Sequence, residues 1–114
     1  SRKGADAIIV QQDNVFQQQR KQIVALTTRM RLPAIGAYSE FVETGGLISY
    51  GQNLSENFRR AATYVDKIFK GEKPGDMPVE QPTIFELYIN RKTANTLGLK
   101  IPQALLAQAT KVIE

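Results

Sequence analysis

The sequence contains no cysteine and no histidine. The first absence removes disulfide frameworks, thiolate metal clusters and cysteine nucleophiles; the second removes imidazole bases, the Ser/His relay and titration switches near neutral pH. No glycine-rich phosphate fingerprint occurs, because Gly45-Gly46 precedes an apolar run instead of opening a helix after one. Ser49 lacks the strand-to-helix elbow of a hydrolase nucleophile. No apolar stretch reaches the length of a membrane span, and an export signal, if there is one, lies outside these residues. The lack of cysteine suits an exported bacterial protein as well as a cytosolic one. The only low-complexity piece is the glutamine run 17–19.

What is present supports one ordinary core: 114 residues, of which 42% are hydrophobic. That length is short for a complete doubly wound sheet and suggests part of something larger. The formal net charge is +4 and the pI about 9.5, which permits weak attraction to anionic surfaces. The basic residues, however, are scattered: Arg20, Lys21, Arg29, Arg31, Arg59, Arg60, Lys67, Lys70 and Lys73 alternate with Glu56, Asp66 and Glu72 on helical polar faces. They read as solvated surface and not as a nucleic-acid site.

Three short apolar runs, residues 7–11 (AIIVQ), 32–37 (LPAIGA) and 47–50 (LISY), each hand over to a turn or a helical stretch. Continuous Ile/Val/Leu runs without alternation read as parallel strands covered on both faces. The carboxyl ends of such strands open onto a crevice where ligands bind, and here those ends carry Gln12, Asp13, Tyr38, Glu40, Tyr50 and Asn53. Between the first two runs, the spacing of Phe16, Ile23, Leu26 and Met30 predicts a helix over 15–31, capped by Asn14 and stopped by Leu32-Pro33. The resulting β-α-β crossover should be right-handed. A short helix fits 39–44. Asn53 then caps a second long helix running to Lys70, with Glu56 at the capping-box position and Phe58, Ala61, Ala62, Val65, Ile68 and Phe69 as its apolar stripe.

Residues 71–82, with three prolines and two glycines, predict an extended surface connection. Residues 83–89 alternate as a strand with one exposed face. Asn90 caps a short helix ending at Gly98, and Ile101-Pro102 begins a final amphipathic turn or helix carrying Leu105, Leu106 and Val112.

Each candidate residue has an ordinary role beside the functional one. Asp13 can accept bonds from a ligand ammonium or hydroxyl, yet Asp13 or Asn14 can equally cap the helix that follows. Gln12 can donate and accept at once, which suits ligand orientation as well as an exposed turn. Tyr38 and Tyr50 end neighbouring strands and offer an aromatic platform with a polar handle, against simple packing between strand ends and helices. Gly51 permits unusual backbone angles at a hinge, or merely a turn. Glu40 and Glu43 form a carboxylate pair at the cleft rim, but no nucleophile or oxyanion donor accompanies them, so solvated surface is the better reading.

The succession ADAIIVQQD, LPAIGAYSEFVETGGLISYG, FRRAATYVDKIFKGEKPGDMPVEQPTIFELYIN and KTANTLGLKIP resembles, over almost the whole chain, the carboxyl-terminal third of the ABC-transporter substrate-binding family. The likeness is closest to a branch associated with amino acids such as tryptophan. Its most specific part is YVDKIFKG followed by KPGDMPVEQP and FELYIN. The resemblance implies an incomplete α/β structure, a parallel-sheet three-layer lobe of a type I periplasmic-binding-protein fold, in which two lobes joined by a hinge close on a solute. Residues 1–51 would belong to the second lobe, with a hinge near 50–52. Residues 52–114 would supply a hinge-return helix, the extended connection, a strand and terminal helices packing on the lobes. It implies the solute-recognition component of a bacterial ABC importer, periplasmic or a cell-surface lipoprotein, working with a membrane permease. The solute would be small, an aromatic or other amino acid among the possibilities. Gln12, Asp13, Tyr38, Glu40, Tyr50 and Gly51 would contact it, without catalysis, cofactor, metal or nucleic acid. The alternative is the effector-sensing domain of a regulator or signalling receptor with the same fold. The uncovered stripe of the second long helix predicts self-association as a dimer.

Overall fold

A computed structural model describes residues 4–81 and 84–114. Its five-stranded sheet has the order β1 (Ile8–Ile9), β2 (Ala34–Gly36), β3 (Ile48–Gly51), β4 (Glu86–Asn90) and β5 (Lys111–Ile113). All neighbours pair in parallel except β3 and β4, which are antiparallel. The first three strands therefore follow the continuous apolar runs. The predicted strand over 83–89 is shorter at its start, Thr83 lying outside the described residues and Ile84 and Phe85 preceding the pairing.

Register explains which face is buried. Ile9, Ile35, Ile48, Ile89 and Val112 are successive partners and form one apolar row across the sheet. Ile8, Ala34, Tyr88 and Ile113 have the opposite parity, and they meet the core residues Val24, Phe41 and Val42. Those core side chains come from α2 (Arg20–Arg29) and α3 (Ser39–Glu43). Phe41 packs where only glycine fits: a Cβ on Gly36 or Gly46 would overlap its ring. Both faces of a parallel sheet were expected to be covered, but Ile9 on the edge strand is 79% exposed.

Three expectations are corrected in detail. The predicted helix over 15–31 is two pieces, α1 (Asn14–Gln18) and α2, breaking at Gln19. The break falls in the glutamine run between Phe16 and Ile23, where no apolar side chain holds the turn against the sheet. Asp13, not Asn14, is the cap: Asp13 is extended and its carboxylate accepts from the Val15 amide at 2.8 Å, while Asn14 is already helical. Finally, the last helix, α6 (Gln103–Gln108), ends before Val112, which lies in β5. That strand is latched by Thr110, whose amide donates to the Leu87 carbonyl (2.7 Å) and whose hydroxyl accepts from the Leu87 amide (3.1 Å).

Other local signals act as read. Asn53 Oδ1 accepts from the Glu56 amide (3.0 Å) to cap α4 (Leu54–Phe69), although the Glu56 carboxylate turns to Arg59 and does not close a capping box. Asn90 caps α5 (Arg91–Leu97) by accepting from the Thr93 amide (3.0 Å), and its buried amide also donates to the Val42 carbonyl. Thr93 adds a bond to the Gly45 carbonyl (2.7 Å), fixing α5 beside the turn that leads into β3.

Helix α4 stands apart. None of its residues is buried, and Phe58 and Phe69 are 73% and 85% exposed. Residues beyond it run back along its flank, where the Tyr64 hydroxyl donates to the Pro78 carbonyl (3.3 Å) and Arg60 pairs with Glu80. The molecule is consequently elongated, 56 × 31 × 20 Å, with a radius of gyration of 17.5 Å against about 13 Å for a compact chain of similar length. No helix among the described residues is long and apolar enough to cross a membrane.

Candidate functional site

The carboxyl ends of β1 and β2 lie side by side, and the residues beyond them converge. The Val10 amide still bonds the Ile35 carbonyl (2.8 Å), so the chain stays in register until Gln12. There the Gln12 amide donates to the Tyr38 hydroxyl, a side-chain bridge between the two strand ends. Asp13 follows, and among the described residues its carboxylate is engaged only with the Val15 amide. Gln12, Asp13, Phe16, Arg20, Tyr38 and Phe41 line one cleft. Its free space is only about 10 Å³, so these aromatic, carboxylate, guanidinium and amide–phenol groups can offer one wall to a small polar solute and do not form a chamber that encloses it.

Tyr50 is placed differently. It lines a second depression with Ile9, Ile35 and Ala37, and Gln12 borders both. Its ring stacks on Phe85, with centroids 5.6 Å apart and planes inclined by 15°. Tyr38 and Tyr50 thus do not form one platform; each is an aromatic wall on its own side of Gln12. Glu40 occupies the first turn of α3, close to the Ser39 hydroxyl (3.5 Å), and is not among the residues lining either depression. Glu43 is exposed on the same helix.

Gly51 pairs with Glu86 across β3 and β4. Its φ is not in the left-handed region, so unusual backbone angles are not its reason. Close approach is: a Cβ would overlap the Ala37 carbonyl oxygen. The chain leaving the strand is fastened on both sides, by Asn53 donating to Glu86 (2.8 Å) and Asn57 donating to Gln52 (2.8 Å).

Of the residues singled out in the sequence, Gln12, Asp13 and Tyr38 line the first depression; Phe16 and Arg20, which were not singled out, line it with them, and Phe85 stacks on Tyr50. Arg20 was visible as the continuation of the Asp13, Phe16, Gln17 series at helical spacing. Phe85 was masked by the strand pattern around it. Among the described residues no acidic cluster is arranged to hold a metal ion.

A mostly parallel sheet flanked by helices, with a polar and aromatic cleft beyond its strand ends, is the lobe architecture of periplasmic binding proteins. The chain belongs to the ABC transporter substrate binding protein family, whose model matches residues 2–113. It is similar to a conserved domain protein from Vibrio cholerae O1 biovar El Tor, at 30% identity and a TM-score of 0.89, over 95% of this chain and 36% of that one. It is similar to an ABC domain in complex with L-Trp from Streptococcus pneumonia, at 30% identity and a TM-score of 0.90, over 97% of this chain and 38% of that one. Agreement falls to a TM-score of 0.61, at 25% identity, with the ligand-free, open structure of a substrate binding protein with adhesive properties from Clostridium difficile, over 93% of this chain and 36% of that one. The chain therefore spans little more than a third of each of these three structures. No curated protein matches it.

Proposed function

We propose that this chain is part of the solute-recognition component of a bacterial ABC importer and that it supplies one wall of a cleft closing on an amino acid. The observation that carries this reading is the Gln12–Tyr38 bridge beside Asp13, where two parallel strands end together. Side chains joined across neighbouring strand ends hold a fixed polar surface, which lowers the ordering cost of binding. The similarity to an L-Trp complex supports an aromatic amino acid as the solute. Binding without transformation is the activity, because the cleft offers orienting groups and no nucleophile paired with a base.

In this reading residues 1–51 belong to one lobe and the crossing at 50–52 is its hinge, with Gly51 packed tightly against Ala37 at the pivot. Gln12, Asp13 and Tyr38 touch the solute directly, Tyr50 flanks it, and Glu40 lies at the rim. The protein works outside the cytoplasmic membrane and delivers to a permease. The test is a thermal-shift screen of the full-length protein against the amino acids. Ligand at a hundredfold excess over its Kd stabilises by about 2.7 kcal/mol, an easily read rise in Tm. Absence of a shift with every amino acid at millimolar concentration would remove this assignment.

A further inference from the structure

A separate groove lies between α5 and α6, and none of its residues lines the depressions at the strand ends. It belongs to the far end of the sheet: the Asn90 amide donates to the Leu47 carbonyl (2.9 Å), so β4 delivers the chain to α5 where β3 begins. Gly98, left-handed at φ 73°, then turns the chain, and the Leu99 amide bonds the Ala94 carbonyl (2.8 Å), folding the segment that leads to α6 back on α5. Ala94, Leu99, Ile101 and Leu106 give the groove an apolar lining. Its two charges, Arg91 and Lys100, are both positive. They are part of a wider asymmetry: from Arg91 to Ile113 the sequence has four cations and no carboxylate, so that with Glu114 the last 24 residues hold +3 of the net +4. Glu114 pairs with Arg91 (3.0 Å), whereas among the described residues Lys100 and the side-chain amides of Asn95 and Gln103 at the groove bond nothing.

We propose that the α5–α6 groove is a docking site for an acidic segment of a partner protein, an extended stretch in which a large apolar side chain is flanked by carboxylates. Charge complementarity selects the acid, and the apolar lining selects the side chain between the acids. Lys100 takes one carboxylate. Arg91 takes another, since its pair with Glu114 joins side chains 51% and 73% exposed and is weak enough to be exchanged. That pair also shows that a carboxylate can reach the groove's rim. Asn95 and Gln103 can each donate and accept, which suits the main chain of an extended peptide. Size argues against an enclosed small molecule: the groove offers about 230 Å³, less than the roughly 300–1,000 Å³ of such pockets. Shape argues against a lipid surface, which is met by a long amphipathic helix with a basic face, whereas α6 has six residues and no cation. The site is independent of the solute cleft.

The experiment uses full-length protein and fluorescence anisotropy with three dye-labelled, end-blocked peptides: EDLFEE, its basic counterpart KKLFKK, and EDSGEE, which keeps the acids without the apolar centre. EDLFEE is expected to bind at least about tenfold more tightly than either of the others. Lys100→Glu should weaken EDLFEE by about tenfold or more, and Leu99→Ser should bring it down to the level of EDSGEE. Glu114→Gln, which frees Arg91, should tighten it. Both Lys100 and Leu99 are exposed, so these variants are expected to fold; should one not fold, the other decides alone. Equal binding of EDLFEE and EDSGEE would mean diffuse attraction to a basic surface, and the proposal would fail. It would fail equally if Lys100→Glu or Leu99→Ser, folded, bound EDLFEE as wild type does. No binding at millimolar peptide would show that the groove is covered in the full-length protein or takes no acidic segment, and either overturns it. Vesicles of phosphatidylglycerol and phosphatidylcholine form the last arm: Lys100-dependent sedimentation with them, in the absence of peptide binding, would replace the protein partner by a membrane.

Discussion

The sequence singles out Gly51 for backbone freedom, and the structure gives it a different reason, close approach to a neighbouring strand end. With Ala37 carbonyl oxygen against its Cα, any side chain must push β2 from β3, and no flexible group is there to yield. Gly51→Ala should therefore destabilise the fold by about 1 to 3 kcal/mol, the range for overpacking, read as a lower urea midpoint at unchanged slope. A neutral substitution would mean that the two strands separate freely at this point. Tyr38 offers a finer dissection. Tyr38→Phe keeps the ring and strands the Gln12 amide, so full-length protein should lose about 1 kcal/mol of solute affinity, whereas Tyr38→Ala should lose about 1 to 3 kcal/mol. Tyr50→Ala acts through the other depression and breaks its stack on Phe85, so its effect should add to that of Tyr38→Ala. Strong coupling between the two would place both rings on one solute face. The strand-end residues were legible because continuous apolar runs mark where parallel strands stop. Arg20 and Phe85 were not, since a helical arginine looks like solvated surface and a phenylalanine in an alternating run looks like core.

At the scale of elements, the sequence reveals what repeats and hides what is short. The runs that became β1 to β3 stand out as continuous apolar stretches bounded by turn signals, and the stripe and caps of α4 are long enough to carry a period. Strand β5 has three residues, too few to show alternation, and is defined by the Thr110 latch to Leu87 that joins segments far apart in the chain. The break between α1 and α2 depends on what the glutamines fail to touch, which no spacing records. The clasp on α4 is likewise tertiary. The Tyr64 hydroxyl, whose single proton is shared between the Pro78 carbonyl and the Glu80 carboxylate, comes first and the Arg60 guanidinium second in holding the Glu80 carboxyl below the ordinary carboxylate value of 4.5. A folded-state value below the unfolded one means that the clasp contributes fully above about pH 4.5 and is lost as pH falls through the lowered value. Protection factors of the amides in the segment 77–81, exchange rates taken relative to the unfolded chain at the same pH, should fall on acidification across that window, and Glu80→Gln should make them independent of pH. Protection in the wild type that is flat with pH would show that the return segment is held by the Pro78 contact instead.

For the whole molecule, the dominant fact is the arm. Phe58, Val65, Ile68 and Phe69 recur along one side of α4 with no cover, and Ile9 lies bare at the other end of the sheet on edge strand β1. The matched structures are more than twice as long as this chain, so the same surfaces have further polypeptide available to them there. In the 114-residue chain alone, exposed apolar surface and an open sheet edge are unfavourable in water and should be satisfied by a second copy. A symmetric dimer can form by pairing the α4 stripes, or by exchanging the segment after Gly51, since the crossing at 51–53 is where the arm leaves the sheet. Sedimentation velocity over a wide concentration range should show a concentration-dependent dimer. Replacing Phe58 and Phe69 by lysine should return it to monomer if stripe pairing holds it together, and should leave a dimer if the arms are exchanged through contacts on the sheet. A strictly monomeric chain that unfolds cooperatively would sink both versions, because it would require the stripe to find its cover within the same chain and α4 to fold down onto the apolar row of Ile9, Ile35 and Ile48.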